Sequence, residues 1–400
     1  MDLMKPETIE KRFVKSNILL CVSGGIAAYK AIELCSMLQK DGYQVKTILT
    51  DGAKEFISPI NFSAISHNSV HSHLFSDTDP IPHINLADWA DLILVAPATA
   101  NVIAKAANGL SDDLLSATLL AATSPVLFVP AMNVYMYEHP ATQANIQTLK
   151  SRGALVLEPD TGMLACGYEG KGKYPPNKDI LQAIKVYLNY TQDLTGKRIM
   201  ITAGATLEAI DPMRVITNLS SGKMGIALAS IASLRGADVT LIYGDIRIEV
   251  PYFVSQKYAC KSAQEMYHLC MEHSKKQDWI FKCAAVADFT VRSSSHSKIK
   301  KEKSLILELV QNPDILAELG KLKPAHQLLI GFAAETEDLA INAANKMQAK
   351  NLDYIIANHL DVVGRNETKI EIIGKGKSET FSGSKTEAAS AIIDRILADV

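Results

Sequence analysis

The sequence has almost no net charge, no long apolar run and no paired-cysteine motif. Lysines and arginines number 41 against 43 aspartates and glutamates, a formal net charge of -2. Without a basic excess the chain exerts no long-range pull on nucleic acid or an anionic membrane, so any anionic ligand must be held by a local arrangement of donors. No apolar stretch approaches the roughly 20 residues that span a bilayer. The opening MDLMKPETIEKRFVKS carries charges where a secretory leader needs an apolar core. The expectation is a cytoplasmic protein with neither a membrane nor a nucleic-acid partner. Of the six cysteines (Cys21, Cys35, Cys166, Cys260, Cys270, Cys283), no two are spaced C-x-x-C, and several sit inside apolar patterns, as reduced buried thiols do. Cys166 lies instead among glycines. The histidines of HNSVHSH (His67, His71, His73) lack the spacing of a zinc helix and read as a polar loop, so no metal is assigned there.

The chain has 400 residues, 48% of them apolar, which is enough for two cores. The first half alternates apolar strands (Asn17 to Ser23, Tyr43 to Leu49, Leu92 to Ala96, Val126 to Pro130) with helical stretches (Ile26 to Lys40, Asn101 to Ala107, Asp112 to Ala122). Strands this continuously apolar imply a parallel sheet covered on both faces, with ligands beyond the carboxyl ends of its strands. Small or polar residues follow each strand: SGGIAAYK, TDGAKEF, APATAN and PAMN. The Gly24-Gly25 turn offers backbone N–H groups at a helix start, which suits either a phosphate or a plain tight turn. His83 precedes the third strand. The segment GMLACGYEGKGKYP, 162–175, reads as a mobile flap carrying Cys166, with lysines near the thiol.

A helix from Lys178 to Tyr190 leads to the polar connection TQDLTGK, which sets a domain boundary at 193/194. The stretch from Ile199 to Ala229 then restarts the pattern with a strand, a glycine loop, a polar excursion and a helix. Further strands are expected at Asp238 to Tyr243, Trp279 to Ala285, Gln327 to Ala333 and Tyr354 to Ala357, with a hairpin over Ile370 to Phe381 and helices that include Thr336 to Lys350. The pattern is Rossmann-like, but with no G-x-G-x-x-G and no ribose-binding acid about 20 residues after the glycine turn, a dinucleotide is disfavoured. Polar and basic residues gather at these strand ends instead: Asn218, Ser220, Ser221, Lys223, Asp288, the SKIKKEK run and NPDI. Lys346 and Lys350, four apart, share one helix face. Together they read as a triphosphate clamp. Asp288 suits the exocyclic amine of cytosine, which adenine also carries, so the base is left open.

These motifs closely resemble, over nearly the whole chain, the bifunctional family of coenzyme A biosynthesis that joins a flavin-dependent phosphopantothenoylcysteine decarboxylase to a phosphopantothenate-cysteine ligase. SGGIAAYK, PHINLADWAD, APATANVIAKAANGLSDDLL, PAMNVYMY and LACGYEGKGK resemble the decarboxylase half. IDPMRVITNLSSGKMG, AAVADF, KIKK, QNPDI, GFAAET and NLDYIIAN resemble the ligase half. The resemblance implies a flavodoxin-like, Rossmann-like α/β domain over 1–193 and a Rossmann-like ligase domain over 194–400. It implies FMN held by Gly25, Ile26, Thr50, Thr99, Ala100, Asn101 and Val102, with His83 as base, Asn133 on substrate and Cys166 as proton donor. In the second half it implies CTP contacts from Ala284, Asp288, Lys298, Asn312, Pro313, Asp314, Ile315, Phe332, Lys346 and Lys350, with Asn218 beside the acyl-nucleotide and Mg2+ accompanying the triphosphate. The implied substrates are phosphopantothenate, cysteine and CTP, and the implied assembly is a homo-oligomer, a dodecamer of decarboxylase trimers and ligase dimers. Ala205 and Leu207 stand where the family has a glycine and an arginine, and His359 where an aspartate is common.

Two other classes fit part of this pattern. A non-catalytic flavoprotein regulatory subunit is opposed by the presence of His83, Asn133 and Cys166 together, and a two-domain nicotinamide oxidoreductase by the missing glycine fingerprint.

Overall fold

A computed structural model describes residues 16–75, 79–164, 167–190, 192–300, 305–335, 346–359, 367–374 and 376–400. The chain divides into two compact units, Met1–Asn189 and Tyr190–Val400.

In the first unit β1 (Asn17–Val22), β2 (Gln44–Leu49), β3 (Val70–His71), β4 (Leu92–Ala98), β5 (Val126–Pro130) and β6 (Leu155–Val156) form a six-stranded sheet in the order β3-β2-β1-β4-β5-β6. Every pairing in it is parallel. All seven residues of β4 are buried, as a central strand covered on both faces requires. On one face Leu19, Cys21, Val95 and Phe128 pack with Leu86, Val102, Ile103 and Leu114 from the covering helices. The strand order reverses between β1 and β4, and the crevice of a doubly wound sheet opens at that reversal.

The glycine-rich segment expected to be a flap is an antiparallel hairpin, β7 (Asp160–Met163) with β8 (Glu169–Lys173). Its tip, Ala165 and Cys166, lies outside the described residues. The glycines of β8 serve close docking. A Cβ on Gly170 would stand 2.6 Å from Val134 Cγ2, and one on Gly172 would stand 2.3 Å from the Met132 carbonyl oxygen.

The second unit repeats the plan. β9 (Arg198–Ala203), β12 (Asp238–Tyr243), β13 (Gln256–Ala259), β14 (Trp279–Lys282), β17 (Leu328–Glu335), β18 (Tyr354–His359), β19 (Glu367–Gly374) and β20 (Lys377–Ser384) form an eight-stranded sheet, ordered β13-β12-β9-β14-β17-β18-β19-β20. Its strands are parallel through β18, and the last two form the expected hairpin, longer than the sequence suggested. The reversal here falls between β9 and β14. Two small antiparallel pairs stand apart from the main sheet: β10 (Leu207–Asp211) with β11 (Arg214–Thr217), and β15 (Phe289–Val291) with β16 (Leu309–Gln311). The expected helix over Thr336 to Lys350 is described only at its last residues, 346–349, because 336–345 lie outside the described residues. Among the described residues no helix is long and apolar enough to cross a membrane.

One buried charge holds the start of this unit. Arg235, its side chain 2% exposed, ends the Lys223–Leu234 helix. Its guanidinium donates from Nε and Nη2 to the two carboxylate oxygens of Asp193, at 2.9 and 2.6 Å, and from Nη1 to Asp394 at 2.7 Å, while stacking 4.5 Å from the Tyr190 ring.

Candidate functional site

In the first unit the loops after β1 and β4 are tied together at the reversal. The buried Ser23 hydroxyl donates to the Pro97 carbonyl at 2.7 Å and accepts from the Thr99 amide at 3.0 Å. Gly24 lies so close to the loop after β2 that a Cβ would come within 2.5 Å of the Gly52 backbone. Gly25 faces Thr99, whose methyl group would lie 3.6 Å from an added Cβ. Thr50 and Thr99 each cap the helix that follows, their hydroxyl oxygens accepting from Ala53 and Val102 amides at 3.2 and 3.4 Å. A capping threonine still has its own O–H to donate. Val102 is buried in the core, so it reaches this loop through its backbone alone. Ile26 is 59% exposed beside the turn.

His83 stands in the first turn of the Pro82–Trp89 helix. The last residue of that helix, Trp89, accepts through its carbonyl from Asn17 Nδ2 at the start of β1, so His83 lies at the helix end away from that contact. Its Nδ1 is buried with no hydrogen-bond partner among the described residues. Asn133 follows β5, and its Oδ1 accepts from the Tyr135 amide at 2.9 Å. The Met132 amide donates to the Gly172 carbonyl at 3.0 Å, so β8 is fastened next to Asn133. Glu158 secures the same hairpin, accepting from Tyr137, Lys150 and pairing with Lys171. Burial pushes the Glu158 carboxyl up, but these donors outweigh it and hold it at about 2.

This packing makes Gly172 a sensitive position. Gly172→Ala, at φ +146° and against a carbonyl, is expected to push β8 away from Asn133 and to destabilise the first unit by about 1–3 kcal/mol. Urea unfolding of the variant beside the parent checks this.

In the second unit the loop after β9 is held against β14: the Ala285 amide donates to Gly204 O at 2.8 Å, and the Thr206 hydroxyl accepts from the Ala287 amide at 3.0 Å. Ala205, which replaces a glycine of the family pattern, is buried and exchanges two backbone hydrogen bonds with Asp245. Beside this loop is a cavity of about 170 Å3. Its lining brings together Ala284, Asp288, Asn312, Pro313, Asp314, Ile315, Phe332, Lys346 and Lys350. Asn312 is fixed by two bonds, its amide to Asp288 O at 2.8 Å and its Nδ2 to Ala287 O at 2.9 Å. Asp314 caps the Ile315–Leu322 helix and pairs with Lys350 at 2.7 Å. Burial pushes its carboxyl up, but the Lys350 ammonium and the Ala317 amide hold it below its ordinary value. Asn218 donates to Val286 O, on the cavity wall, at 3.0 Å.

Lys298 is exposed and does not line the cavity. Its loop is nonetheless anchored: the Ile299 amide donates to the buried Asp211 carboxylate at 3.1 Å, and the Ser295 amide to Ile210 O at 2.9 Å. Lys282, which sequence reasoning passed over inside an apolar strand, does line the cavity. Among the described residues no group of three or more histidines, cysteines or acids could hold a metal.

Comparison with known proteins follows the same division. Residues 7–189 match a family model described as Flavoprotein, and residues 194–400 one described as DNA/pantothenate metabolism flavoprotein C-terminal domain. The coenzyme A biosynthesis bifunctional protein CoaBC of Bacillus subtilis is 48% identical over 353 residues, 87% of each chain. The protein of that name from Haemophilus influenzae is 40% identical, over 95% of this chain and 97% of the relative. A crystal structure of the C-terminal domain of a CoaBC protein is 38% identical, covering 52% of this chain and all of that one, with a TM-score of 0.45.

Proposed function

The chain belongs to the CoaBC family of bifunctional proteins of coenzyme A biosynthesis, and from that premise we propose which of its residues perform each reaction. Residues 194–400 join phosphopantothenate to cysteine at the expense of CTP, and residues 1–193 decarboxylate the phosphopantothenoylcysteine formed. The observation that carries this reading is the lysine-bearing cavity beside the loop after β9, where residues far apart in sequence meet.

In the ligase unit a carboxylate oxygen of phosphopantothenate attacks the α-phosphorus of CTP and pyrophosphate leaves. The cysteine amine then attacks the acyl carbonyl, expelling CMP and releasing a proton. Lys346 and Lys350 hold the triphosphate, and Lys298, whose exposed side chain lies outside the cavity lining on an anchored loop, is the cation we assign to the charge that builds on the α-phosphate. Asn218, fixed to the wall through its Nδ2, keeps its amide oxygen for the acyl group or the incoming amine. Mg2+, when bound with CTP, would offset charge on the triphosphate that Lys346 and Lys350 hold.

In the decarboxylase unit the tied loops after β1 and β4, with two helix-capping threonines and bare glycines, fit the phosphate and edge of FMN. FMN, when bound, supplies a reversible two-electron oxidation, which gives the carboxylate an electron sink that an amide-locked cysteine lacks. His83 takes the thiol proton, its buried Nδ1 having no hydrogen-bond partner among the described residues. Asn133 positions the substrate, and Cys166 delivers the final proton to carbon. His83→Asn is expected to leave flavin absorbance intact and slow carbon dioxide release about 100-fold. Stopped-flow absorbance on the flavin-loaded variant checks both halves of that statement.

Large apolar side chains exposed in each unit suit burial between subunits of a homo-oligomer, for which the family resemblance implies a cytoplasmic dodecamer of trimers and dimers. They include Ile60, Leu120 and Tyr135 in the first unit and Met213, Val215 and Leu219 in the second. The test of the whole reading is incubation with phosphopantothenate, cysteine and each nucleoside triphosphate in turn, following pyrophosphate and carbon dioxide separately. Absence of nucleotide-dependent pyrophosphate, with carbon dioxide still released from supplied phosphopantothenoylcysteine, would remove the ligase assignment.

A further inference from the structure

Lys282 is the last residue of β14, and strand alternation puts its side chain on the same face as Ile280. That face packs against Met266 and Cys270 on one helix and Leu316 and Leu319 on another. Lys282 is 8% exposed, and its Nζ donates to Ala284 O at 3.2 Å, its hydrogen bond among the described residues. An ammonium has three protons to place and, when buried, normally requires a counter-ion. Among the described residues Lys282 has no ion-pair partner. Asp314, the acid of the cavity wall whose charge acts on it, is committed to Lys350 and to the Ala317 amide. The neighbouring thiols give no negative charge either, since burial pushes Cys260 to about 11 and Cys270 and Cys283 to about 12.

We propose that Lys282 is a nucleotide-binding residue of the ligase site, whose buried ammonium takes the phosphate chain of CTP as its counter-ion. The inference rests on the reading that CTP occupies this cavity. The phosphate chain is the relevant part because Lys346 and Lys350, the other cations of the lining, share the cavity with Lys282.

A linkage follows from the groups around the amine. Burial holds the Lys282 pKa down; Cys270, Cys283 and Asp314 oppose this, and Lys350 adds to it. Cys260 also faces it, and Asp288 and Lys346 complete the charged lining. A bound polyanion raises the pKa, so above the value in the protein alone CTP binding draws a proton from solution.

The test uses the full-length protein with Mg2+ and CTP, titrated calorimetrically in two buffers of different ionisation enthalpy, beside Lys282→Met. The parent is expected to take up a fraction of a proton on binding. The methionine variant should bind CTP about 10- to 100-fold more weakly and take up none from this site, as loss of a charge-assisted bond predicts. Cytidine, which has no phosphate, should compete equally poorly against both. Without nucleotide the variant should melt no lower than the parent, because methionine fills the same space without a buried charge. A variant that binds CTP as tightly as the parent, with the same proton count, overturns the inference, as does one that melts lower yet binds normally. A parent that fails to bind CTP removes the ligase reading, and this inference with it.

Discussion

Lys298→Gln is expected to suppress CTP-dependent pyrophosphate release at least about a thousandfold while decarboxylation of supplied phosphopantothenoylcysteine continues at the parent rate. Glutamine keeps much of the reach and a hydrogen-bond donor but removes the charge, so the loss measures electrostatic stabilisation of the α-phosphate. The expectation is sharp because Lys298 has no structural task of its own. It is exposed, and its loop is pinned by backbone groups of Ser295 and Ile299, which the substitution leaves alone. Equal loss of both activities in a folded variant would contradict separate sites. Near-parent pyrophosphate release would take Lys298 out of the mechanism.

The second large effect concerns stability. Asp193→Asn combined with Asp394→Asn leaves the Arg235 guanidinium buried with no anion, which is expected to cost the second unit about 3–5 kcal/mol in urea unfolding. Arg235→Met should cost less. It leaves two carboxylates that are 31% and 43% exposed and can be rehydrated, and it relieves the desolvation of the guanidinium. If the double asparagine variant unfolds like the parent, the clamp contributes nothing. The same geometry bears on the 193/194 boundary proposed from sequence. A ligase fragment beginning at Leu194 loses both Asp193 and the Tyr190 ring from Arg235, whereas one beginning at Tyr190 keeps them.

The α/β class was legible because β4 and its counterparts in the second unit are largely apolar runs, and burial on both faces selects that composition. β3 and β6 were not, since two residues carry no period. The β10–β11 hairpin read as a polar excursion because residues such as Glu208, Asp211 and Arg214 interrupt its apolar positions. Glu208 is buried there, accepting from the Ala263 amide. The glycines at 170 and 172 were misread for a physical reason: composition cannot distinguish a glycine that confers freedom from one that makes room for a neighbouring backbone. In the cavity, the NPDI turn and the Lys346/Lys350 spacing were legible. Lys282 was not, because one lysine inside an apolar strand does not reveal which side of the sheet it faces.

The pairing of Asp314 with Lys350 also bears on inhibitor chemistry. A triphosphate mimic that takes Lys350 must separate this ion pair and then sit beside the released carboxylate, a penalty added to the poor membrane permeation of polyanions. A compact zwitterion, with its cationic end toward Asp314 and its anionic end toward Lys350, exchanges one ion pair for two of the same length and adds no net charge to the cavity. The pocket with this pair intact therefore favours amino-acid-like scaffolds over nucleotide analogues as starting points.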